Sequence, residues 1–262
     1  MSKSIILDKT GSEMVKFEES KLIERFNNKV VTREELYNYY RKFEPDLNYY
    51  TFSWRLHDLK NKNILKPIKR NHYLISNKPF YEMRLDNITK EIANFISNEY
   101  DSVKISIWET SCLNEFSQHL MSNKITIIET EKDLLESIYF TLKDNEISNI
   151  FIEPDENIMN YYVSESQSPI ILKRLLSRSP LQKLNGISSP SLEKILVDII
   201  SDKKLFYFIE GKESERILIN AMEKYIVDTT TLLNYAERRE KRKYIEQILY
   251  ENNLLINSDT NI

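Results

Sequence analysis

The chain has 262 residues, of which 41% are hydrophobic and 29% charged, and its net charge is −3; this composition is typical of globular proteins with room for two modest domains. It contains no apolar run of about 18 residues and no signal-peptide core, so we expect a cytoplasmic protein without a membrane span. Three glycines, three histidines and the single cysteine Cys112 argue against glycine-rich phosphate loops, an internal disulfide and a Cys/His zinc site, and we expect no metal and no cofactor.

Charge is distributed unevenly along the chain. Residues 1–81 hold 16 Lys and Arg against 10 Asp and Glu, and residues 82–262 hold 21 against 30. A basic segment before an acidic one indicates that the first segment meets a polyanion, although a solvated charge run gives the same pattern. The stretch Thr51–Ile75 is the most basic part, with six Lys and Arg against one acid, Asp58.

The first two helices of the basic segment follow from apolar spacing. The first carries Leu22, Ile23 and Phe26. It is predicted to end at Asn27 or Asn28. The second is predicted to start at a capping box formed by Thr32 and Glu35. Its apolar stripe is Leu36, Tyr40 and Phe43.

A third helix and a hairpin complete the basic segment. Asn48 or Thr51 is predicted to cap the helix. Its core-facing stripe is Phe52, Leu56 and Leu59. Two short strands, "ILKPIKR" and "HYLI", follow and are joined by a turn at Arg70 and Asn71. Three helices and a basic hairpin within about 60 residues are typical of a winged helix-turn-helix.

The side of the third helix that faces away from its apolar stripe is predicted to contact DNA. It presents hydroxyl, imidazole, amide and cation groups, which suit the donors and acceptors of a major groove. The cations of the hairpin are expected to lie along the phosphates, where they fix the register of the protein on the duplex. The predicted DNA-binding residues are Tyr50, Thr51, Ser53, Trp54, Arg55, His57, Lys60, Lys62, Lys66, Lys69, Arg70 and Asn71.

Other interpretations of this surface remain open. Trp54 is large enough to pack against a partner chain or the second domain rather than a ligand. His57 on an exposed face is compatible with a plain polar role. Winged helices also mediate protein–protein contacts, so a protein-interaction scaffold is an alternative to a DNA-binding module.

The remaining residues are predicted to form a larger α/β domain. Pro79, in "SNKPFYEMRLDN", marks the boundary between domains 1–81 and 82–262. Alternating helical and extended signals predict a sheet, at least partly parallel, that helices cover. Ser189 is predicted to cap, and Pro190 to open, the first of several C-terminal helices. The predicted fold class is therefore α/β (α+β), with an N-terminal winged helix and a helical C-terminal extension.

One constellation in this domain suggests catalysis. Asp198, Glu210 and Lys212 are similar to the Asp…Glu-x-Lys arrangement of metal-dependent nucleases, in which two carboxylates hold Mg²⁺ and a lysine positions water. Asp198 falls in a predicted helix, whereas that arrangement places its aspartate at a strand end. Short acidic spacings also arise by chance in a charged chain. We therefore expect no enzymatic activity and keep a winged-helix-targeted nuclease as the alternative.

Four segments in this order resemble AbiEi, the antitoxin and transcriptional regulator of type IV toxin-antitoxin (abortive infection) systems. They are "TFSWRLHDLKNKNILKPIKRNHYLI", "ISIWETSCLNEFSQHL", "SSPSLEKILVDII" and "LLNYAERREKRKYIEQIL". The resemblance spans nearly the whole chain. It differs from the family pattern in the wing turn, where Asn71 replaces the usual glycine; asparagine tolerates the left-handed conformation that such a turn needs.

The resemblance implies an autorepressor that binds inverted repeats of double-stranded DNA in its own promoter, and it is compatible with a homodimer on that DNA. It also implies that the C-terminal domain opposes a nucleotidyltransferase toxin without forming a stable complex with it. Several positions of that domain match the family pattern, whether for function or for structure: Glu193, Lys194, Asp198, Tyr235 and Arg238. An orphan winged-helix regulator is the alternative within the same class.

Overall fold

The computed structural model describes residues 19–26, 29–62, 64–100, 103–118, 120 and 124–254, except for the side chains of Lys69 and Leu184. Its contacts divide the chain into two compact units, the first ending at Pro79 and the second beginning at Phe80.

The first unit contains three helices and a three-stranded antiparallel sheet. Its elements in chain order are α1 (Glu19–Phe26), β1 (Lys29–Thr32), α2 (Arg33–Arg41), α3 (Tyr49–Asn61), β2 (Leu65–Lys69) and β3 (His72–Ile75). The strand β3 lies in the middle and pairs antiparallel with both β1 and β2. The predicted helices and hairpin are therefore present.

Local capping chemistry fixes where the helices of this unit begin. Thr32 accepts a hydrogen bond from the backbone NH of Glu35, and the Glu35 side chain bonds back to Thr32, so the predicted capping box is confirmed. Asn48, rather than Thr51, is the N-cap of α3, and its side chain accepts from the Thr51 backbone. The helices then bury one apolar stripe each: Leu22 from α1, Leu36 and Tyr40 from α2, and Phe52, Leu56 and Leu59 from α3.

Two features of this unit differ from the sequence prediction. Phe43 was placed on the buried stripe of α2, but it is 55% exposed, because α2 ends at Arg41 and Phe43 lies in the following turn. The strand β1 was not predicted. Its four residues are too few for a periodic signal, and only the β-branched pair Val30 and Val31 indicates it.

The second unit is built on a four-stranded mixed sheet. Its strands are β4 (Ser106–Glu109), β5 (Thr126–Thr130), β6 (Ile150–Ile152) and β7 (Ile170–Arg174). In the order β4-β5-β7-β6, β7 is parallel to both β5 and β6, and β4 is antiparallel to β5. The prediction of a partly parallel sheet is thus confirmed.

Neighbouring strand residues point to opposite sides, so this sheet has two apolar faces, and helices cover both. On one face, α4 (Asn87–Glu99) and α5 (Leu135–Asp144) pack on Ile128 of β5 and Leu172 of β7. The short helix α6 (Glu156–Ile158) continues into a π-helical turn at Met159–Val163, which packs on the other face. Trp108 of β4 and Ile127 of β5 lie in the core of that face.

A run of helices follows the sheet, as predicted. A two-stranded hairpin comes first, formed by β8 (Leu181–Leu184) and β9 (Ile187–Pro190), and the four helices are α7 (Leu192–Ser201), α8 (Glu213–Lys224), α9 (Thr229–Arg238) and α10 (Arg242–Glu251). The predicted start of the first helix is wrong: Pro190 ends β9, and Ser191 precedes α7. The helices α9 and α10 are separated by a short turn that contains Glu240, whose φ is +57°.

Within the described ranges, no helix combines the length and apolar character needed to cross a membrane.

Candidate nucleic-acid interface

The outward face of α3 is exposed, as the helical periodicity predicts. Tyr50 is 85% exposed and Trp54 is 65% exposed, and His57 and Asn61 continue the same stripe toward the end of the helix. The amide nitrogen of Asn61 lies 3.2 Å from Nδ1 of His57. Phe52 is fully buried on the other side of the helix. The amphipathic prediction for α3 is therefore confirmed.

Arg55 is held by a carboxylate of its own unit. Its two terminal guanidinium nitrogens donate to both oxygens of Glu44, at 2.9 and 2.8 Å, and the guanidinium lies over the ring of Tyr40. A bidentate pair of this kind satisfies most of the directional capacity of the arginine and cancels its charge. Arg55 is therefore not a free cation in this structure, and its contact with DNA stays a prediction.

The lysines near the end of α3 have internal partners as well. Lys62 forms ion pairs with Asp58, at 2.8 Å, and with Glu19. Lys60 lies over the ring of Tyr73, with its ammonium 5.0 Å from the ring centroid. Lys62 is thus neutralised, whereas Lys60 keeps its charge in a cation–π contact.

Lys66 also differs from the prediction that placed it along the phosphates. It is only 3% exposed, and its ammonium donates to the backbone carbonyl of Lys78. The segment after β3 continues the antiparallel pairing, with the Ser76 NH bonded to the Ile64 carbonyl, and it supplies the Lys78 carbonyl that accepts from the buried ammonium. Burial lowers the pKa of Lys66 to about 8.

Replacing Lys66 by methionine should remove a pH dependence of the first unit's stability. The pKa is lower in the folded state than the ordinary 10.5, so the folded chain binds fewer protons between about pH 8 and 10.5 and its stability rises with pH there. We expect a gain on the order of 2 kcal/mol across this window, measured by urea unfolding at pH 7 and pH 10. Lys66→Met should flatten the rise.

The control is Lys42→Met, which changes a lysine that the structure places at the surface. This variant should retain the wild-type rise. An unchanged rise in Lys66→Met would contradict the assignment to Lys66.

The hairpin turn has the geometry that its sequence predicts. Asn71 adopts a φ of +60°, the left-handed conformation that asparagine tolerates in a hairpin turn without glycine. Its carbonyl accepts a hydrogen bond from the backbone NH of Arg33, at 2.8 Å, which ties the turn to the start of α2. Arg70 is exposed at the tip. The side chain of Lys69 lies outside the described part of the chain.

Arg33 is a cation of this surface that the sequence prediction missed. Its guanidinium donates to the Tyr49 hydroxyl and to Oγ of Ser53, both at 2.6 Å, and lies over the Tyr49 ring. These partners are uncharged, so Arg33 keeps its positive charge beside α3. Thr51 is half-buried and contributes its backbone NH to the cap. Only the packing of α2 against α3 reveals Arg33, because 20 residues separate it from Ser53.

The interface that results is less positive than the sequence predicts. Rings and neutral polar groups occupy its centre. Among the described cations at this surface, Arg33, Lys60 and Arg70 are not paired with a carboxylate.

Comparison with protein families matches residues 51–255 to the family described as "Family of unknown function (DUF6577)". The chain belongs to this family. The matched region begins at the first turn of α3 and includes the hairpin and the helices and strands of the second unit. Comparison with curated proteins gives no match.

In this DUF6577 member, one of the three residues considered for a nuclease site, Asp198, is held in a buried ionic cluster. Asp198 is 4% exposed, and it accepts hydrogen bonds from Lys194, at 2.5 Å, and from the Tyr235 hydroxyl, at 2.9 Å. Lys194 is fully buried and also donates to both oxygens of Glu129, at 2.8 and 2.7 Å. We call Glu129, Lys194, Asp198 and Tyr235 the buried ionic cluster.

The environment of Asp198 explains why these residues do not form an open metal site. Its carboxylate is enclosed between α7 and α9, and Arg239 adds an ion pair at 3.4 Å. Glu210 and Lys212, by contrast, lie exposed after α7. In the described ranges, no group of three or more His, Cys, Asp or Glu has an arrangement that could hold a metal ion. The carboxylate of Asp198 has the geometry of a structural group.

Proposed function

We propose that the chain is a DNA-binding transcriptional regulator whose first unit is a winged helix-turn-helix. The observation that carries the proposal is the exposed outward face of α3 followed directly by an antiparallel hairpin with Arg70 at its tip. In this architecture the third helix enters the major groove and the hairpin lies against the backbone. The arrangement α1–β1–α2–α3–β2–β3 supplies both elements in the order that it requires.

The chemistry of the surface supports the same proposal. Arg33, Lys60 and Arg70 provide positive charge near the helix and the turn, and the amide of Asn61 provides donors and an acceptor. Cations of this kind contact phosphates, and amides contact base edges. No catalytic group is needed for this role, and the proposal includes no enzymatic activity and no cofactor.

The proposed biological role is that of an antitoxin and autorepressor of the AbiEi type, acting in the cytoplasm. Its support is the resemblance of the α3–hairpin, β4, α7 and α9–α10 segments to that family. In this role the first unit represses the chain's own promoter, and the second unit opposes a nucleotidyltransferase toxin. The antitoxin half is tested in two steps: the reading frame beside this chain should encode a nucleotidyltransferase, and cells that produce that protein should grow only when the chain is produced with it.

The salt dependence of duplex binding tests the DNA-binding half. Log K falls with log salt by about 0.9 for each phosphate that is neutralised. The three cations predict a slope of about −3, and the side chain of Lys69 would add about one more if it also contacts a phosphate. Fluorescence anisotropy of the full chain with the duplex upstream of its coding sequence measures this slope.

Variants make this test specific to the surface. Arg70→Ala should weaken binding and reduce the magnitude of the slope by about one. Arg242→Ala, which alters a helix of the second unit, should leave the slope unchanged. A full chain that binds no duplex even at low salt would refute the DNA-binding proposal.

A second candidate function is a protein-interaction module. It is favoured by the exposure of Tyr50 and Trp54 together with the neutralisation of Arg55 and Lys62 by carboxylates. Aromatic residues of this size are enriched in the centres of protein interfaces. In that case the full chain would self-associate or bind a partner through α3.

A further inference from the structure

The centre of the proposed DNA-binding surface is aromatic rather than cationic. Tyr50 and Trp54 are 85% and 65% exposed, and the imidazole of His57 follows them along the same stripe of α3. The nearest cation of the helix, Arg55, is held by Glu44, so it does not dominate this stripe. Selectivity along this stripe must therefore come from contacts other than charge.

In a major groove, an apolar ring finds one distinctive apolar partner. Thymine alone presents a 5-methyl group there, while the edges of guanine, cytosine and adenine present donors and acceptors. Burial of a methyl against a ring releases water from both surfaces, which favours binding without any change in ion release. Rings on a groove-facing helix therefore select thymine.

The polar end of the stripe favours the same type of base pair, A·T, through its adenine. Asn61 lies seven residues after Trp54, which is about 10 Å along a helix, or roughly three base pairs. An asparagine amide pairs bidentately with N6 and N7 of adenine. The contact of the Asn61 amide with His57 leaves the other polar positions of that amide available within the described residues.

We propose that the outward face of α3 selects A·T-rich duplex sites, with Tyr50 and Trp54 contacting thymine methyl groups and Asn61 contacting adenine. The proposal rests on the DNA-binding function proposed above and names the class of site. A duplex fits better than a single strand. Single-strand binders use a positively charged groove to follow the backbone, whereas this stripe lies along one convex helix with its neighbouring cations Arg55 and Lys62 paired to carboxylates.

The test begins with selection of duplexes from a random library by the full-length protein. We expect the enriched sites to contain thymine and adenine at fixed positions. Each selected thymine is then replaced by deoxyuridine, which removes the 5-methyl group and keeps the base-pairing edge. Loss of one contacting methyl should weaken binding roughly fourfold.

A variant shows whether α3 is responsible for this effect. Trp54→Ala should bind more weakly than wild type and should lose at least one of the deoxyuridine effects. Tyr250→Ala, which removes a ring that is 76% exposed on α10, should keep all of them. Binding of wild type and Trp54→Ala is measured on the same selected duplex with and without the methyl groups.

The outcomes separate this proposal from the one on which it rests. Duplex binding that is indifferent to every deoxyuridine replacement would overturn the methyl contact and leave DNA binding intact. Deoxyuridine effects that persist unchanged in Trp54→Ala would overturn the assignment to this face. The absence of binding to any duplex would overturn both, and a self-associating chain that Trp54→Ala converts to monomer without altered DNA binding would assign the face to a protein interface.

Discussion

Replacing Lys194 by methionine is expected to destabilise the second unit by about 3–5 kcal/mol. Lys194 is fully buried, and its ammonium is the shared partner of Glu129 and Asp198 in the buried ionic cluster. Burial by itself lowers the pKa of Lys194, but the two carboxylates raise it by more, so the lysine stays charged. Methionine fills a similar volume and leaves two buried carboxylates without their common cation.

Urea unfolding followed by tryptophan fluorescence measures this loss. The chain contains two tryptophans, and Trp108 lies buried in the core of the second unit. In a Trp54→Phe background, Trp108 alone reports the unfolding of that unit.

Two further variants show that the loss comes from broken pairing rather than from the substitution itself. Lys224→Met removes a surface ion pair with Glu115 and should cost less than about 1 kcal/mol. Neutralising the whole cluster, with Lys194→Met, Glu129→Gln and Asp198→Asn together, should recover part of the stability that the single change loses. Equal midpoints for Lys194→Met and Lys224→Met would contradict the account.

Replacing Phe52 by alanine is expected to destabilise the first unit by about 3–5 kcal/mol. Phe52 is fully buried, and its ring contacts the rings of Tyr37, Tyr40 and Tyr49. The guanidinium of Arg33 lies 5.5 Å from the same ring. The substitution therefore leaves a cavity where α2 meets α3 and removes the support of the helix that carries the proposed interface.

Trp54 provides the matched control, since it is an aromatic residue two positions away on the opposite face of the same helix. Trp54→Ala should cost less than about 1 kcal/mol, because the side chain is 65% exposed. Amide hydrogen exchange in α2 and α3 measures both variants. We expect exchange to accelerate more than a hundredfold in Phe52→Ala and to stay near wild type in Trp54→Ala.

Phe52→Ala and Trp54→Ala should both weaken the proposed DNA binding, but for different reasons. Phe52→Ala should weaken DNA binding through loss of structure, and Trp54→Ala should weaken it with the structure retained. Rapid exchange in α3 of Trp54→Ala would show that its ring stabilises the fold, and would remove the basis for treating it as a binding residue.

Helical periodicity determined most of what could be predicted about the first unit. Phe52, Leu56 and Leu59 recur with the period of one helix face, so the same arithmetic located the exposed stripe from Tyr50 to Asn61. Thr32 and Glu35 act within four residues, and their capping box was visible for that reason. Local rules predict local contacts well.

Most partners of the cations were not predictable by such rules; the exception is Asp58, which lies four residues before Lys62 on α3. Glu44 lies 11 residues from Arg55, and Glu19 lies 43 residues from Lys62. Lys66 was expected at the surface because lysine usually is, but the chain after β3 supplies the carbonyl that accepts from its buried ammonium. Charge counts along a sequence include such cations although the folded surface does not present them.

In the second unit, too, local patterns were predictable and contacts between distant residues were not. The sheet, its partly parallel pairing and the terminal helices followed from alternation of helical and extended patterns. The hairpin β8–β9 was missed although Asn185 and Gly186 lie at its turn, a dipeptide that favours hairpins. In the buried ionic cluster, the hydrogen bond between Lys194 and Glu129 spans 65 positions, beyond the reach of any local pattern.

The position of Lys194 in the chain has a consequence for folding during synthesis. Glu129 leaves the ribosome 65 residues before its ammonium partner, and an ionised carboxylate without a partner is costly to bury. Closing the nascent sheet over β5 before α7 has emerged would bury Glu129 without its cation. We therefore expect the second unit to complete its core late in translation, with β5 accessible to water, chaperones and neighbouring chains until then.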